Sequence, residues 1–537
     1  MPHRTAPLSL PRAALLAAVL AAAAPAQTPL FAPVGDHVGD AFGSAIAVVP
    51  DLDGDGLPDL LIGAPTAPGS GYVRTYAGTD GTPLRRLLTH SDADLFGFAV
   101  AEAGDTDNDG VSDLLVGSPG SDAAFGSNVQ VFDGASGGML LTIPGGLLET
   151  WDQLGHALAM PGDVDGDGFG DAVAGAPFLQ GGQAGRVKGF ELQAGSPILD
   201  AVGDVVGDQF GFSLAPVGDV DLDGVPDLLA GAPAGNYAHV LSGADGGLIL
   251  HLPGAGGDFA RAVAAAGDVN GDGTPDLAVG APLFNRMDLL SGTDGALLAR
   301  YEKFGGDFGS SLAFLGDTDE DGVPDMLVGA PADDVGGLAG AGTAFVISGI
   351  DGHNLFKFTG NSAGARLGSS AAAGDTDGDG APEMLLGAPL QPTGEGPGAA
   401  ALYDGQLAGS IAAYGIGCPG SFLITPRLDL YGDPLPDGKL TIAITNALGG
   451  APAGLMFGLG EGNAPLSNGC ILWVDPLVTT IAIVLDGGFP GEGNKTLVGR
   501  LPRDMPVGST FSVQALILDE GTDGGVAGTS AFLVTVQ

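Results

Sequence analysis

Carboxylates in this 537-residue chain are concentrated in seven short stretches of one pattern, Asp-x-Asp-x-Asp-Gly-x-x-Asp. Positions 1, 3, 5, 7 and 9 of the first are Asp51, Asp53, Asp55, Leu57 and Asp59, and of the second Asp105, Asp107, Asp109, Val111 and Asp113. The third has Asp163, Asp165, Asp167, Phe169 and Asp171, and the fourth Asp219, Asp221, Asp223, Val225 and Asp227. The fifth has Asp268, Asn270, Asp272, Thr274 and Asp276, and the sixth Asp317, Asp319, Asp321, Val323 and Asp325. The seventh has Asp375, Asp377, Asp379, Ala381 and Glu383. Alternate carboxylates can converge on one point if the chain turns tightly, and Gly at position 6 permits the turn. The position-7 carbonyl and the position-9 carboxylate complete a shell of hard oxygen ligands. Such a shell suits Ca²⁺ better than Zn²⁺ or Cu²⁺, so up to seven Ca²⁺ are expected. The helix-flanked EF-hand shares the early ligands but needs a Glu at position 12, where this chain has the following strand. An Asp-Gly turn needs one Asp, not four. Two carboxylates ~4 Å apart repel by ~4 kcal/mol at an effective dielectric of ~20, so unneutralised loops would be destabilising.

The acidic loops sit at a fixed place in a larger unit. Each is preceded by Phe-Gly and followed by Gly-Ala-Pro, as in Phe42-Gly43 and Gly63-Ala64-Pro65. The first Asp lies 12 residues before the Gly of Gly-Ala-Pro in all seven copies, and 9 after the Phe or Leu in six. Successive loops start 54, 58, 56, 49, 49 and 58 residues apart. Constant spacing inside the unit marks a rigid hairpin, and variable spacing outside it marks loops. Further strand-like stretches such as Val129–Phe132 and Leu248–Leu250 bring each unit to about four strands. That is the size of a propeller blade, which must stack on its neighbours to bury both faces.

These motifs resemble the FG-GAP repeats of the integrin α-chain N-terminal propeller and of related secreted bacterial proteins, over about residues 28 to 413. The resemblance implies an all-β, seven-bladed β-propeller with calcium sites on one face. Departures are Leu154 and Leu367 for Phe, Ala260 for Gly and Ser118 for Ala. In the seventh copy Leu367 is only 8 residues from Asp375, which reverses the side-chain alternation unless a β-bulge is lost. Phe42 and its equivalents are expected to pack between blades, and Pro65 and its equivalents to end a strand. Two stretches compete as the strand that closes the ring, Pro29–Val34 and Ser410–Tyr414.

Residues 1–26 read as a secretory signal peptide, with Arg4 and Arg12, an apolar run from Ala13 to Ala24 and a small-x-small end. The expected location is therefore secreted, cell-surface or periplasmic. No later stretch offers the eighteen uninterrupted apolar residues of a membrane span. A net charge of −46 opposes binding to nucleic acid. With residues 27–413 as propeller, residues 414–537 lack the repeat and read as a small β-sandwich. Cys418 and Cys470 fall there, and in an exported chain such a pair is expected to form a disulfide.

Catalytic signatures are sparse. No Gly-x-Ser-x-Gly elbow is expected, the chain has no His-Glu-x-x-His and no phosphate loop, and its seven histidines look scattered. His156 reads as a satisfied strand residue. No cluster of His, Tyr or Arg can be placed on the loops around the propeller axis. The expected function is thus a non-enzymatic, extracellular interaction or adhesion module for a protein or glycan. The alternatives are a polysaccharide-active or other hydrolytic site on the axis, and a calcium-rigidified structural surface protein.

Overall fold

The computed structural model describes residues 29–405, apart from 89–94, 121–125, 146–151, 179–182, 304–305, 319–321, 350–351, 353 and 392–395, and the strands that follow residue 410. Each repeat folds as one antiparallel sheet whose strands pair in chain order, six sheets with four strands and the seventh with three. In the fourth blade the strands are Ser213–Gly218, Asp227–Ala232, Tyr237–Leu241 and Leu248–Pro253. The first strands of successive blades lie against one another in a closed cycle, the seventh against the first. The architecture is a seven-bladed β-propeller. Second strands such as Asp59–Ala64 are buried at every residue, because both faces are covered by blades.

The ring closes through the N-terminal stretch. Phe31 and Val34 pair antiparallel with Leu402 and Ala399 on the third strand of blade seven, Ala399–Tyr403. Three backbone hydrogen bonds of 2.8–3.1 Å hold them there. The rival candidate pairs elsewhere: Ile411–Tyr414 lies alongside Val526–Thr535. That second unit, from residue 407 on, contains a five-stranded antiparallel sheet, a three-stranded sheet and a hairpin. Cys418 and Cys470, like residues 1–26, lie outside the described residues.

The two short motifs are one interface seen from its two sides. Phe42 is fully buried between Leu60 and Ile62 of its own blade and Leu385 and Leu402 of blade seven. The Gly of Gly-Ala-Pro packs on the Gly of the next blade's Phe-Gly so closely that a methyl group has no room. A Cβ on Gly63 would stand 2.1 Å from the Gly97 carbonyl oxygen, and the same approach recurs round to Gly387 against Gly43. Ala260 is the exception on the Phe-Gly side, and it adopts a left-handed φ of 67°. The seventh blade shows the lost bulge. Five blades carry a register shift just before the acidic loop. Blade seven pairs Ser370–Gly374 with Glu383–Gly387 without one, since it lacks the bulged residue.

This interface generates a pair of opposite effects. Ala260→Gly should stabilise the propeller by ~1 kcal/mol, because glycine takes the left-handed conformation without the Cβ penalty. Gly63→Ala should destabilise it by ~1–3 kcal/mol through backbone displacement. Thermal or denaturant melts of the two variants check both signs.

Candidate functional site

Six of the acidic loops, all but the sixth, are seen to be organised by their own backbone. In the first, the Asp51 carboxylate accepts the Gly54 and Gly56 amides at 2.6 and 2.7 Å. Asp53 accepts the Asp55 amide at 3.1 Å, and Asp55 the Leu57 amide at 2.9 Å. The same pattern recurs from Asp163 to Phe169, from Asp268 to Thr274 and from Asp375 to Ala381. Asp105 and Asp219 accept the amides at positions 5 and 6, with Val111 and Val225 donating to position 5. At Asp51 slight burial is outweighed by hydrogen bonds from the Gly54, Gly56, Asp53 and Asp55 amides, which hold its carboxyl below the usual value.

Position 9 does a second job that spacing alone did not show. It is buried and clamps the loop to the turn between the third and fourth strands of its blade. Asp59 accepts the Leu52 amide at 2.7 Å and the Gly78 amide at 3.0 Å. Asp227 does the same with Val220 and Gly243, Asp276 with Val269 and Gly292, Asp325 with Thr318 and Gly349. Glu383 reaches Thr376 and Gly405 with its longer side chain, and Asp113 reaches Thr106 and Gly134. Blade three breaks the rule. Leu192 occupies the turn position of Gly78, where a Cβ would stand 2.0 Å from the Pro58 carbonyl oxygen. The clamp is therefore not made there, and the buried Asp171 Oδ1 has no hydrogen-bond partner. Burial pushes the carboxyls of Asp59 and Asp171 up to about 6, and raises Asp227, Asp276 and Glu383.

In the first three loops, side-chain oxygens at positions 1, 3 and 9 come within 4.8 Å of one another: Asp51, Asp53 and Asp59; Asp105, Asp107 and Asp113; Asp163, Asp165 and Asp171. Asp133, which the nine-residue pattern could not reveal, joins Asp107 and Asp109 at the same separation. Its signal was the Asp-Gly turn that follows the strand Asn128–Phe132. Asp319 and Asp321 of the sixth loop lie outside the described residues. An oxygen-only donor set with an orphaned buried carboxylate oxygen fits a hard divalent cation.

The opposite end of the propeller holds a cavity on the axis. First strands run from Phe-Gly to the acidic loop and second strands return to Gly-Ala-Pro, so both short motifs lie at the end away from the carboxylates. The cavity there has a volume of about 560 Å³. The residue after Phe-Gly, or its equivalent, lines it in every blade: Ser44, Phe98, His156, Phe212, Arg261, Ser310 and Ser369. The residue before the Phe position has φ between 54° and 62° in all seven blades, uncommon for any residue but glycine. Three of these, Asp258, Asp307 and Arg366, also reach the cavity. Arg261 lies 5.0 Å from the centre of the Phe212 ring and 3.8 Å from Asp258. A cluster of His and Arg therefore does exist on the axis, contrary to expectation, because the ring brings together residues ~50 apart in sequence. His156 is satisfied as expected, but it sits in the bend before the strand Leu158–Gly162 and not on a strand. It is packed by Phe98, Phe178 and Phe212, its Nδ1 is 3.2 Å from the Phe212 carbonyl oxygen, and burial pushes it down to about 4. Two stretches with Gly-x-Ser-x-Gly spacing, residues 134–138 and 360–364, are not followed by a helix and form no nucleophile elbow. Ser136 hydrogen-bonds Asp133 in a hairpin turn.

Residues 42–79, 210–251, 259–297 and 308–347 match the FG-GAP repeat model. Four of the seven blades are thus FG-GAP repeats. The repeats are similar to those of integrin chains: 32% identity to integrin alpha-V of Gallus gallus over 203 residues, covering 34% of this chain and 19% of that one. Integrin alpha-5 of Xenopus laevis is 34% identical over 196 residues, 33% of this chain and 18% of the relative. Human integrin alpha-IIb is 32% identical over 212 residues, 36% and 20% respectively. The chain thus spans about a fifth of the length of the relatives it matches. No helix among the described residues is long and apolar enough to cross a membrane.

The raised carboxyls give a pH signature for the metal-free FG-GAP propeller. Asp59 and Asp171 titrate near 6 when folded, and near ~4 when unfolded. Between those values the folded chain binds more protons than the unfolded one, so stability falls as pH rises through the window. In chelator, lowering the pH from 7 to 5 should raise the melting temperature, the five raised position-9 carboxyls outweighing the opposite contribution of the lowered His156 and His239. A steady fall across that interval contradicts the assignment.

Proposed function

We propose that the chain is an exported, calcium-loaded interaction module that engages an extracellular protein or glycan at the axial end of its FG-GAP propeller. The observation that carries this reading is the cavity of about 560 Å³ to which every blade contributes the residue following Phe-Gly. Its wall combines the rings of Phe98 and Phe212 with the charges of Asp258, Arg261, Asp307 and Arg366. Aromatic faces beside paired hydrogen-bond donors and acceptors suit a sugar ring or a polar side chain of a partner. Export is supported by the signal-like residues 1–26, and the similarity to integrin chains supports an adhesive role. The sheets beyond residue 410 are read as a sandwich appended to this module.

Calcium is supported by the repeated oxygen clusters. Extracellular calcium modules have dissociation constants of about 0.1–1 mM. At ~1 mM free Ca²⁺ and a constant of ~0.1 mM, each site contributes about 1.4 kcal/mol, and seven about 10 kcal/mol. Chelation would then remove as much stability as a typical domain possesses. With Ca²⁺ saturating, lowering the pH from 7 to 5 should reduce the melting temperature, the reverse of its effect in chelator, because protons compete for the ligands.

A hydrolytic site on the axis is the second reading, favoured by Asp258 and Asp307 in one cavity. His156 does not support it as a base, since its half-buried ring is packed among Phe98, Phe178 and Phe212 and already hydrogen-bonded.

Two measurements test the proposal. Equilibrium dialysis should find about seven Ca²⁺ per chain and one fewer in Asp223→Ala; fewer than four would overturn the calcium reading. On arrays of glycans and extracellular proteins, the calcium-loaded chain should bind a ligand that Phe212→Ala and Arg261→Ala weaken at least ~10-fold. Ligand binding unaffected by both changes would remove the axial cavity from the function, and hydrolysis of an arrayed glycan would favour the enzyme.

A further inference from the structure

Far from the acidic loops, at the seam of the third and fourth blades, two histidines and one aspartate meet. His239 lies on the third strand of blade four and His251 on the fourth, and the two are direct cross-strand partners. Asp204 comes from the segment that follows the last strand of blade three, Pro197–Val202. The three donor atoms form a nearly equilateral triangle. His239 Nε2 is 3.0 Å from His251 Nδ1 and 3.4 Å from Asp204 Oδ2, and His251 Nδ1 is 3.5 Å from the same oxygen. A tetrahedral ion with bonds of ~2.0–2.1 Å has ligand atoms ~3.3–3.4 Å apart along each edge, which is the size of this triangle.

The surroundings hold the three groups in place. The Tyr237 hydroxyl accepts the Asp204 amide at 2.8 Å and donates to the buried Asp208 carboxylate at 2.5 Å, anchoring the segment that carries Asp204. The Tyr237 ring stacks on His251, and Phe210, of a Phe-Gly motif, backs His239 at 5.2 Å between ring centres. His239 is buried, while the side chains of His251 and Asp204 are 45% and 47% exposed. One side of the triangle is therefore open to solvent. Burial also lowers the proton affinity of His239, which favours the neutral imidazole a metal needs.

We propose that Asp204, His239 and His251 form a binding site for a divalent transition-metal ion, best matched by Zn²⁺ with water as fourth ligand. Two imidazoles exclude Ca²⁺ as the preferred occupant and distinguish this site from the oxygen-only loops. The open fourth position is the arrangement of sites that exchange ligands, so the ion would be able to accept a donor from outside the chain.

The test uses the full-length chain in saturating Ca²⁺, which keeps Zn²⁺ off the acidic loops. Competition with a chromophoric Zn²⁺ indicator should find one ion per chain. His251→Gln and Asp204→Asn, both at exposed positions where the fold tolerates change, should each weaken binding ~100-fold or more. Asp223→Ala should leave it unaltered. Co²⁺ in place of Zn²⁺ should give the intense visible absorption of a tetrahedral complex, absent from His251→Gln. No bound Zn²⁺ in the native chain, or undiminished affinity in either site variant, would reduce the cluster to a hydrogen-bonded His pair and overturn the proposal.

Discussion

The propeller depends on one close approach. At each seam a glycine of Gly-Ala-Pro meets the Phe-Gly position of the next blade, with no space for a side chain between the backbones. Within a blade the same positions are hydrogen-bonded, as in Gly43 to the Gly63 carbonyl at 2.9 Å. Bond within and contact between alternate round the ring, so one geometric constraint sets both the sheet register and the blade spacing. The buried Phe or Leu beside each contact fills the wedge between neighbouring sheets. Blade four meets blade five through Ala260, and there the constraint is satisfied at the cost of a left-handed alanine.

That constraint also makes the axial cavity. A residue flanking a fixed glycine has a fixed direction, and the left-handed residue before each Phe position turns the chain toward the axis. Seven blades therefore deliver seven side chains to one place, while those side chains vary freely among Ser, Phe, His and Arg. Rigid backbone and variable lining are the division of labour expected where a scaffold carries a binding surface.

At the other end the governing interaction is between a buried carboxylate and backbone amides. Position 9 ties the acidic loop to the turn of the same blade, so loop geometry is coupled to the outer strands. Burial alone would drive such a carboxyl toward its neutral form, as the raised values at Asp59 and Asp171 show. Amide donors oppose that drift, and blade three, with Leu192 in place of the turn glycine, lacks one of them. Clustered negative charge at one end and a mixed, aromatic-lined cavity at the other give the propeller two chemically distinct faces.

What the sequence determined by itself was everything periodic. The intervals from Phe-Gly to Asp and from Asp to Gly-Ala-Pro specify hairpin, blade and blade number, because short-range spacing dictates strand register. The one-residue deletion before Asp375 even foretold the missing bulge of blade seven. Tertiary structure alone decided what converges across the repeats. Ring closure by Phe31 and Val34 rather than Ile411–Tyr414 depends on which edge is left open after seven blades. Asp204, His239 and His251, and likewise His156, Arg261 and Arg366, are each ordinary in their own repeat. They become clusters only because stacking twisted sheets around an axis places distant segments side by side, a relation that linear spacing does not encode.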